Sequence, residues 1–378
     1  MTSSRLHYLK LVTIAGYICG ILLSLRLWFG VGRSIPRIPL VVVNSHFAEC
    51  FISLLLLAAL VFSLFSSRSR YLVAVVVLTS FLVILDLTRL QPWVYQYVLM
   101  IATLTFARVG PNEETILLAN QLIVASLYFW SGVQKLNWTF ANVVFPGMLE
   151  DAGVHLPTKF AILVALVEAL AGVGLLIRTT RRIAVVIVVI LHLSVLVLLI
   201  LARHNTVVWP WNVAMLLVVP ILFWRFSDSV VRKELWRRRQ SKVVSWLPKL
   251  VIMLCAVAPA LSFGGWWDLY LSGALYAGNA PVGVVRINDE FRSQLSEAAK
   301  KQVFTSSRGE AMLPLHEWSE VELNVPPYPE ARAYRQLTRK VCEMTNNSEE
   351  IELIVKSRPG TVDGSYIVRK DDCQSLLK

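Results

Sequence analysis

Charged side chains are scarce in this sequence of 378 residues. Lys, Arg, Asp and Glu together make up 16% of it, whereas they make up roughly 25% of a typical soluble domain. Hydrophobic residues reach 56%, the mean hydropathy is +0.58, and long apolar runs recur as far as Phe263. This composition excludes a wholly soluble globular protein and predicts a polytopic membrane protein.

Cysteine is also rare, with five residues and no CxxC pair, which excludes a thiol-redox motif of that kind. Cys19, Cys50 and Cys255 lie in apolar runs, where we expect them to be packing residues. Cys342 and Cys373 lie in the polar C-terminal part, and the sequence leaves open whether they form a disulfide, as they could outside the cytosol. No His, Cys or carboxylate cluster has the spacing of a metal site, so no metal is predicted.

Acidic residues are fewer than basic ones, at 25 against 37, which gives a net charge of +12. From Gly264 onward the chain has 14 basic and 16 acidic residues, so the basic excess lies entirely in the apolar part. This distribution is typical of basic loops on the cytoplasmic side of a membrane. It argues against a nucleic-acid partner and makes the lipid bilayer the expected one.

The apolar runs predict an all-α membrane domain over residues 1–264 with nine transmembrane helices. The predicted spans are 9–29, 48–66, 71–88, 94–108, 116–134, 159–177, 183–202, 210–226 and 246–264. The span at 94–108 is the shortest and follows Pro92.

Basic residues are divided unequally between alternate connections of these spans. The set that includes the N-terminus carries 15 of them, and the other set carries 6. The positive-inside rule therefore predicts a cytoplasmic N-terminus and an extracytoplasmic C-terminal tail. The connections Asp86–Trp93, Ser131–Trp138 and Arg203–Asn212 then share the outer face, where they could form one site.

Residues 265–378 have ordinary polarity and predict a small α+β region that rests on the outer helix ends. Asn288 suits the N-cap of a helix running to Phe304. Pro329-Glu330 suits the start of a second helix, which runs to Met344. Strands are predicted over Ile351–Lys356 and Ser365–Arg369, with turns at Pro359-Gly360 and Asp363-Gly364.

Lys135 follows an apolar run at its predicted outer end. A lysine that is partly removed from water can lose its proton near neutral pH, because desolvation disfavours the ammonium form. Such an amine, with Arg26 or Arg89 nearby, could act as a general base. The alternative is a snorkelling anchor whose charged group stays at the membrane surface.

Glu168 and His192 lie within the sixth and seventh predicted spans. Each is 12 residues from the turn centred near residue 180, so an antiparallel hairpin places them at the same depth, about 18 Å from the turn. A carboxylate there could orient the imidazole in a proton relay. Alternatively, each side chain simply bonds to backbone carbonyls.

Aromatic and polar residues gather at the same predicted level. Trp93, Trp138, Trp209 and Trp211 suit a membrane interface in any protein, but such residues could also form walls for a flat ligand such as a quinone. Asp86 and Arg89 could pair with each other or hold an anion. The candidate ligand-binding residues are Arg89, Gln91, Trp93, Trp209, Trp211 and Asn212.

The segment Leu127–Asn137 (LYFWSGVQKLN) resembles the vitamin K-dependent gamma-carboxylase and its relatives with a horizontally transferred transmembrane (HTTM) domain. Leu191–Leu193 with Trp209–Asn212, and Asp86–Trp93, are similar to the same family. The resemblance covers residues 9–275. This chain has Gln134-Lys135 where the carboxylase has two adjacent lysines, and a short tail replaces the large luminal part.

The resemblance implies that Lys135 deprotonates a vitamin K-like quinol. In the carboxylase, the resulting anion takes up oxygen and becomes a strong base, which removes a proton from a glutamate gamma carbon before carbon dioxide adds. The family also implies nine spans with a cytoplasmic N-terminus.

We therefore expect an outward-facing site in which Lys135 is the base, His192 and Glu168 form a relay, and a lipid-soluble quinol is the substrate. The alternative is a non-enzymatic membrane assembly factor or lipid-binding scaffold. A transporter is disfavoured, since two matching halves with broken helices are not evident in the sequence.

Overall fold

Helices dominate the chain up to Gly264. The computed structural model describes residues 4–42, 46–66, 68–108, 113–203, 205–224, 242–345, 348–357 and 364–378. Its helices in this part are α1 (Ser4–Leu23), α2 (Leu25–Phe29), α3 (His46–Phe65), α4 (Ser69–Leu85), α5 (Pro92–Thr105), α6 (Glu113–Gln134), α7 (Phe145–Asp151), α8 (Lys159–Leu176), α9 (Arg181–Leu201), α10 (Trp209–Phe223) and α11 (Lys242–Val251).

Seven helical segments within the described ranges are long and apolar enough to cross a membrane. They are Ser4–Leu23, Phe47–Phe65, Glu113–Gln134, Lys159–Leu176, Arg181–Leu201, Thr206–Phe223 and Trp246–Gly264. The runs predicted at 71–88 and 94–108 form α4 and α5, which have 17 and 14 residues. The mostly helical architecture is thus confirmed, whereas the count of nine spans stays a prediction.

Helices α6 and α8 run antiparallel and pack backbone against backbone. A Cβ placed on Gly132 would lie 2.4 Å from the backbone nitrogen of Ala169, and one on Gly172 would lie 2.5 Å from that of Phe129. Small residues permit this approach, which suits helix association in a membrane. The contact sets the outer end of α6 directly against α8.

Buried ion pairs hold the segments around α2 and the α4–α5 connection. An Nη atom of Arg33 donates to Asp86 at 2.7 Å. Arg89 is fully buried, pairs with Glu49 of α3, and donates to the carbonyl oxygen of Leu27 at 3.1 Å. Because a buried charge is costly unless it is paired, this network ties the connection to its neighbours.

The C-terminal part contains a five-stranded antiparallel sheet with the order β2-β3-β1-β4-β5. Its strands are β1 (Val282–Ile287), β2 (Phe304–Thr305), β3 (Ala311–Pro314), β4 (Glu352–Ser357) and β5 (Ile367–Asp372). Val285 of β1 lies opposite Leu313 of β3 and Leu353 of β4, and all three are fully buried.

The helices of this part are α12 (Asp289–Gln294), α13 (Glu297–Lys300), α14 (Leu315–Leu323), α15 (Ala331–Glu343) and α16 (Cys373–Leu377). Helices α14 and α15 cover the buried face of the sheet, where Gly283 leaves room for Leu315 and Tyr334. Cys342 and Cys373 form a disulfide that joins α15 to α16, with the Cα atoms 5.7 Å apart. The pairing that the sequence left open is therefore present.

The predictions for the tail had mixed outcomes. The second helix and both predicted strands are confirmed as α15, β4 and β5 within a few residues. The single helix from Asn288 to Phe304 is wrong, because the chain breaks at Leu295 and Ser296 caps a separate α13. Asn288 does cap α12, accepting from the amide of Phe291 at 2.9 Å. The predicted turn at Pro359-Gly360 lies outside the described residues, as does Asp363.

The tail rests on one end of the helices. All three connections that the sequence placed on the outer face hydrogen-bond to it. The bonds run from Gln91 to the Pro326 carbonyl (3.0 Å), from Asn137 to the Ala277 carbonyl (2.7 Å), and from Asn324 to the Thr206 hydroxyl (2.8 Å). These connections therefore share one face, as predicted.

Candidate functional site

Lys135 and Glu168 form an ion pair between α6 and α8. The ammonium nitrogen of Lys135 lies 2.8 Å from Oε2 of Glu168 and 2.7 Å from the hydroxyl of Ser131. The two charged side chains are 13% and 15% exposed. Each charge is therefore compensated by the other, and the pair remains accessible at one edge.

Local sequence explains the position of Lys135. Helix α6 ends at Gln134, and Lys135 lies in the turn that follows. The side chain of Asn137 secures this turn, since it donates to the Gln134 carbonyl at 2.8 Å and accepts from the Phe140 amide at 2.8 Å. Ser131 is one turn before Lys135, so both side chains occupy the same face of the helix.

A second polar chain lies beside the ion pair. The ring atom Nε2 of His192 is 2.6 Å from the hydroxyl of Tyr128, and Nδ1 is 2.8 Å from Oδ1 of Asn212. The amide nitrogen of Asn212 donates to the Val208 carbonyl at 2.9 Å. Because Oδ1 can only accept, Nδ1 of His192 must donate, and a neutral ring then accepts from Tyr128 at Nε2.

The ion pair and this polar chain adjoin each other on α6. Tyr128, which meets His192, and Ser131, which meets Lys135, are three residues apart on one face of this helix. The structure therefore brings the three predicted catalytic residues into one cluster from α6, α8 and α9. It corrects the predicted partners, however, because Glu168 hydrogen-bonds to Lys135 while His192 bonds to Tyr128 and Asn212.

Three of the predicted ligand-binding residues belong to other interactions. Arg89 is enclosed in its network with Glu49, and Gln91 bonds to the carbonyl oxygens of Thr88 and Pro326. Trp93 is 1% exposed and packs against Tyr17, Trp28 and Tyr97. All three are thus enclosed in protein. The expectation that Arg89 lies beside Lys135 is wrong, because the charged neighbour of Lys135 is the carboxylate of Glu168.

The other three occupy different surroundings. Asn212 belongs to the His192 chain, and Trp211 donates its indole N–H to Gln96 at 2.7 Å. Trp209 lines an apolar groove of about 630 Å³ between α1, α9 and α10. A second cavity, of about 30 Å³, lies near Trp130 and Tyr95. Lys135, Glu168 and His192 line neither of these two cavities.

Tyr128 and Ser131 are members of the cluster that the sequence reasoning missed. A spacing signal was available, since positions 128, 131 and 135 recur at intervals of three and four residues on one helical face. Within the described residues, no group of three or more His, Cys, Asp or Glu side chains is arranged to hold a metal ion.

Comparison of the chain with protein-family models, with curated proteins and with solved structures finds no match.

Proposed function

We propose that this chain is a membrane-embedded enzyme in which Lys135 acts as a general base on a quinol-like, lipid-soluble weak acid. The observation that supports this proposal is the convergence of the Lys135–Glu168 pair with the Tyr128–His192–Asn212 chain. Ionisable groups inside apolar helices are expensive, and they commonly mark proton pathways and binding sites.

The ion pair suits proton transfer because it is neutral overall. Movement of one proton from the Lys135 ammonium to Glu168 leaves an amine and a carboxylic acid with no net change of charge. The free amine then accepts the hydroxyl proton of the substrate, and the resulting ammonium stabilises the nearby quinolate. Tyr128 and His192 offer a hydrogen-bonded path for a further proton.

Access for such a substrate is lateral in this proposal. The pair is partly exposed, and Trp138, three residues after Lys135, is 41% exposed. A flat ring could stack on this indole while its hydroxyl reaches the amine. A vitamin K-like quinol fits these requirements, although carboxylation of a peptide glutamate forms no part of the proposal.

We propose that the tail lies on the extracytoplasmic side and the N-terminus in the cytoplasm. The unequal distribution of basic residues supports this orientation. The Cys342–Cys373 disulfide supports it independently, since structural disulfides are rare in the cytosol.

The direct test uses purified protein in lipid nanodiscs and the hydroquinone of vitamin K as the probe. Deprotonated quinol passes two electrons to dissolved oxygen, giving quinone and hydroperoxide, so oxygen uptake reports the proton-transfer step. Lys135→Met should reduce the protein-dependent rate of oxygen uptake by roughly 10²-fold or more. This is the lower end of the range of rate loss expected when a general base is removed. Lys159→Met is the matched control, since Lys159 is an exposed lysine at the start of α8.

A structural scaffold is the second candidate. The saturated Lys135–Glu168 pair favours it, because a satisfied ion pair can serve only to lock α6 against α8. In that case no variant of the cluster alters oxygen uptake, and Lys135→Met affects only the stability of the fold.

A further inference from the structure

The apolar groove between α1, α9 and α10 has the position and lining of a lipid site. It has a volume of about 630 Å³, within the range of small-molecule pockets. Its lining residues are all apolar or a cysteine: Leu11, Val12, Ala15, Gly16, Cys19, Leu23, Leu196, Ile200, Trp209, Pro210, Val213, Ala214 and Leu217. All three helices are long and apolar enough to cross a membrane, where a groove between them would be surrounded by lipid.

Small residues create the depth of the groove. Gly16 and Ala214 approach closely, since a Cβ on Gly16 would lie 3.1 Å from that of Ala214. Leu23, Ile200 and Leu217 are between 43% and 52% exposed and form its open edge. The twelve-residue separation of Leu11 and Leu23 gives it a length of about 18 Å, which suits an extended hydrocarbon chain.

Positive charge lies at the end of the groove nearest the tail. Arg26 follows Leu23 by three residues, and Arg203 follows Ile200 by three, and both arginines are exposed. The two segments are held together by Asn324, which donates to the Leu23 carbonyl at 2.9 Å and to the Thr206 hydroxyl at 2.8 Å. Trp209 lines the same end, where an indole suits the headgroup level.

From this combination we propose that the groove binds an anionic phospholipid of the leaflet on the tail side. One acyl chain occupies the groove, and Arg26 and Arg203 hold the phosphate. A neutral lipid or a free hydrophobic molecule would use the apolar lining but leave the two arginines without a function. This inference does not depend on the chemistry proposed for Lys135.

Native mass spectrometry of the protein released from nanodiscs tests the assignment. The nanodiscs contain equal amounts of phosphatidylglycerol and phosphatidylcholine with identical acyl chains. The wild-type chain should retain phosphatidylglycerol preferentially. Arg26→Gln with Arg203→Gln should weaken that preference by about fivefold for each arginine. Arg182→Gln, an exposed arginine at the opposite end of α9, is the control.

A second variant and a measurement on the unmodified chain complete the design. Ala15→Phe fills the groove and should abolish lipid retention, whereas Val77→Phe, on the 59% exposed surface of α4, should not. In the wild-type chain, phosphatidylglycerol should slow alkylation of the exposed Cys19 relative to phosphatidylcholine. The proposal would be overturned if the Arg26→Gln, Arg203→Gln variant preferred phosphatidylglycerol as strongly as the Arg182→Gln control does. Equal rates of Cys19 alkylation in the two lipids would also overturn it.

Discussion

The ammonium nitrogen of Lys135 lies 2.8 Å from a carboxylate oxygen of Glu168, across the contact between α6 and α8. Both side chains are mostly buried, so each neutralises the other in surroundings where an isolated charge would be expensive. This relationship makes Lys135 both a structural element and the candidate base. Experiments must therefore separate the two roles.

Removal of only one partner should destabilise the protein. Glu168→Leu leaves the Lys135 ammonium uncompensated and should lower the free energy of unfolding by about 3 kcal/mol or somewhat less, given the partial exposure of the pair. The double variant Lys135→Met with Glu168→Leu removes both charges and should recover most of that loss. Thermal unfolding in detergent measures the stability of both variants. Equal melting temperatures for the wild-type chain and both variants would show that the ion pair does not stabilise the fold.

The contact between α6 and α8 should not tolerate a methyl group at Gly132. A Cβ there would lie 2.4 Å from backbone atoms of Ala169, so Gly132→Ala must push the helices apart. We expect a loss of about 1–3 kcal/mol of stability and a weakened Lys135–Glu168 pair. Gly147→Ala in α7 is the control, because its added Cβ meets no atom within 4 Å. Indistinguishable unfolding curves for the two variants would show that the close contact between α6 and α8 does not require a glycine at position 132.

The chain from Tyr128 to Asn212 should orient the ring of His192. Asn212→Leu removes the acceptor for Nδ1 and leaves the buried ring N–H of His192 unsatisfied. We expect a loss of about 1–3 kcal/mol, with a smaller loss for Tyr128→Phe. Unfolding measurements on both variants test this order, and the reverse order would require different partners for His192.

Much of this arrangement could be predicted from the sequence because it depends on local patterns. The apolar runs predict the helices, and the distribution of basic residues predicts that three connections lie on one face. Asn288 was predicted as a helix cap from its side chain alone, and it caps α12. Lys135, Glu168 and His192 were each singled out because an ionisable residue in an apolar run is unusual.

The partners could not be predicted, because they depend on how helices are rotated about their axes. Equal depth suggested that Glu168 and His192 would pair, yet the side chain of Glu168 faces α6. The small residues that let α6 approach α8, such as Gly132 and Gly172, are far apart in the sequence, so their contact is not visible in a local pattern. Strand β1 was missed for the same reason, since its partners are the distant β3 and β4.

The attachment of the tail should depend on pH through Glu322. Burial alone would raise the pKa of this carboxyl, but hydrogen bonds from Ser34, Ile35 and Ser296 outweigh burial and lower the pKa below its usual value. The stabilisation is therefore complete above the unfolded pKa of about 4.3 and is lost as the pH falls through the lower folded pKa.

The protection of the amides around Ser34, measured relative to their intrinsic exchange rates at each pH, should accordingly fall on acidification to pH 3. Glu322→Gln cannot ionise and should show fast exchange already at pH 7, with a weaker response to acid. A wild-type segment whose protection is unchanged between pH 7 and pH 3 would contradict this attachment.

The orientation of the chain can be tested in intact cells. If the tail is extracytoplasmic, a membrane-impermeant maleimide added outside should label a cysteine introduced by Glu297→Cys, because the Glu297 side chain is 84% exposed. The unmodified chain, in which Cys342 and Cys373 are paired, provides the background. Labelling that requires membrane permeabilisation would place the tail in the cytoplasm.

The most direct test of the catalytic claim is the oxygen uptake of the Lys135→Met, Glu168→Leu double variant with vitamin K hydroquinone. This variant keeps a neutral cluster, so its fold is retained while the amine is gone. We expect a folded protein, verified by its melting temperature, with no protein-dependent oxygen uptake. A folded double variant that consumes oxygen at the wild-type rate would show that Lys135 is not the base.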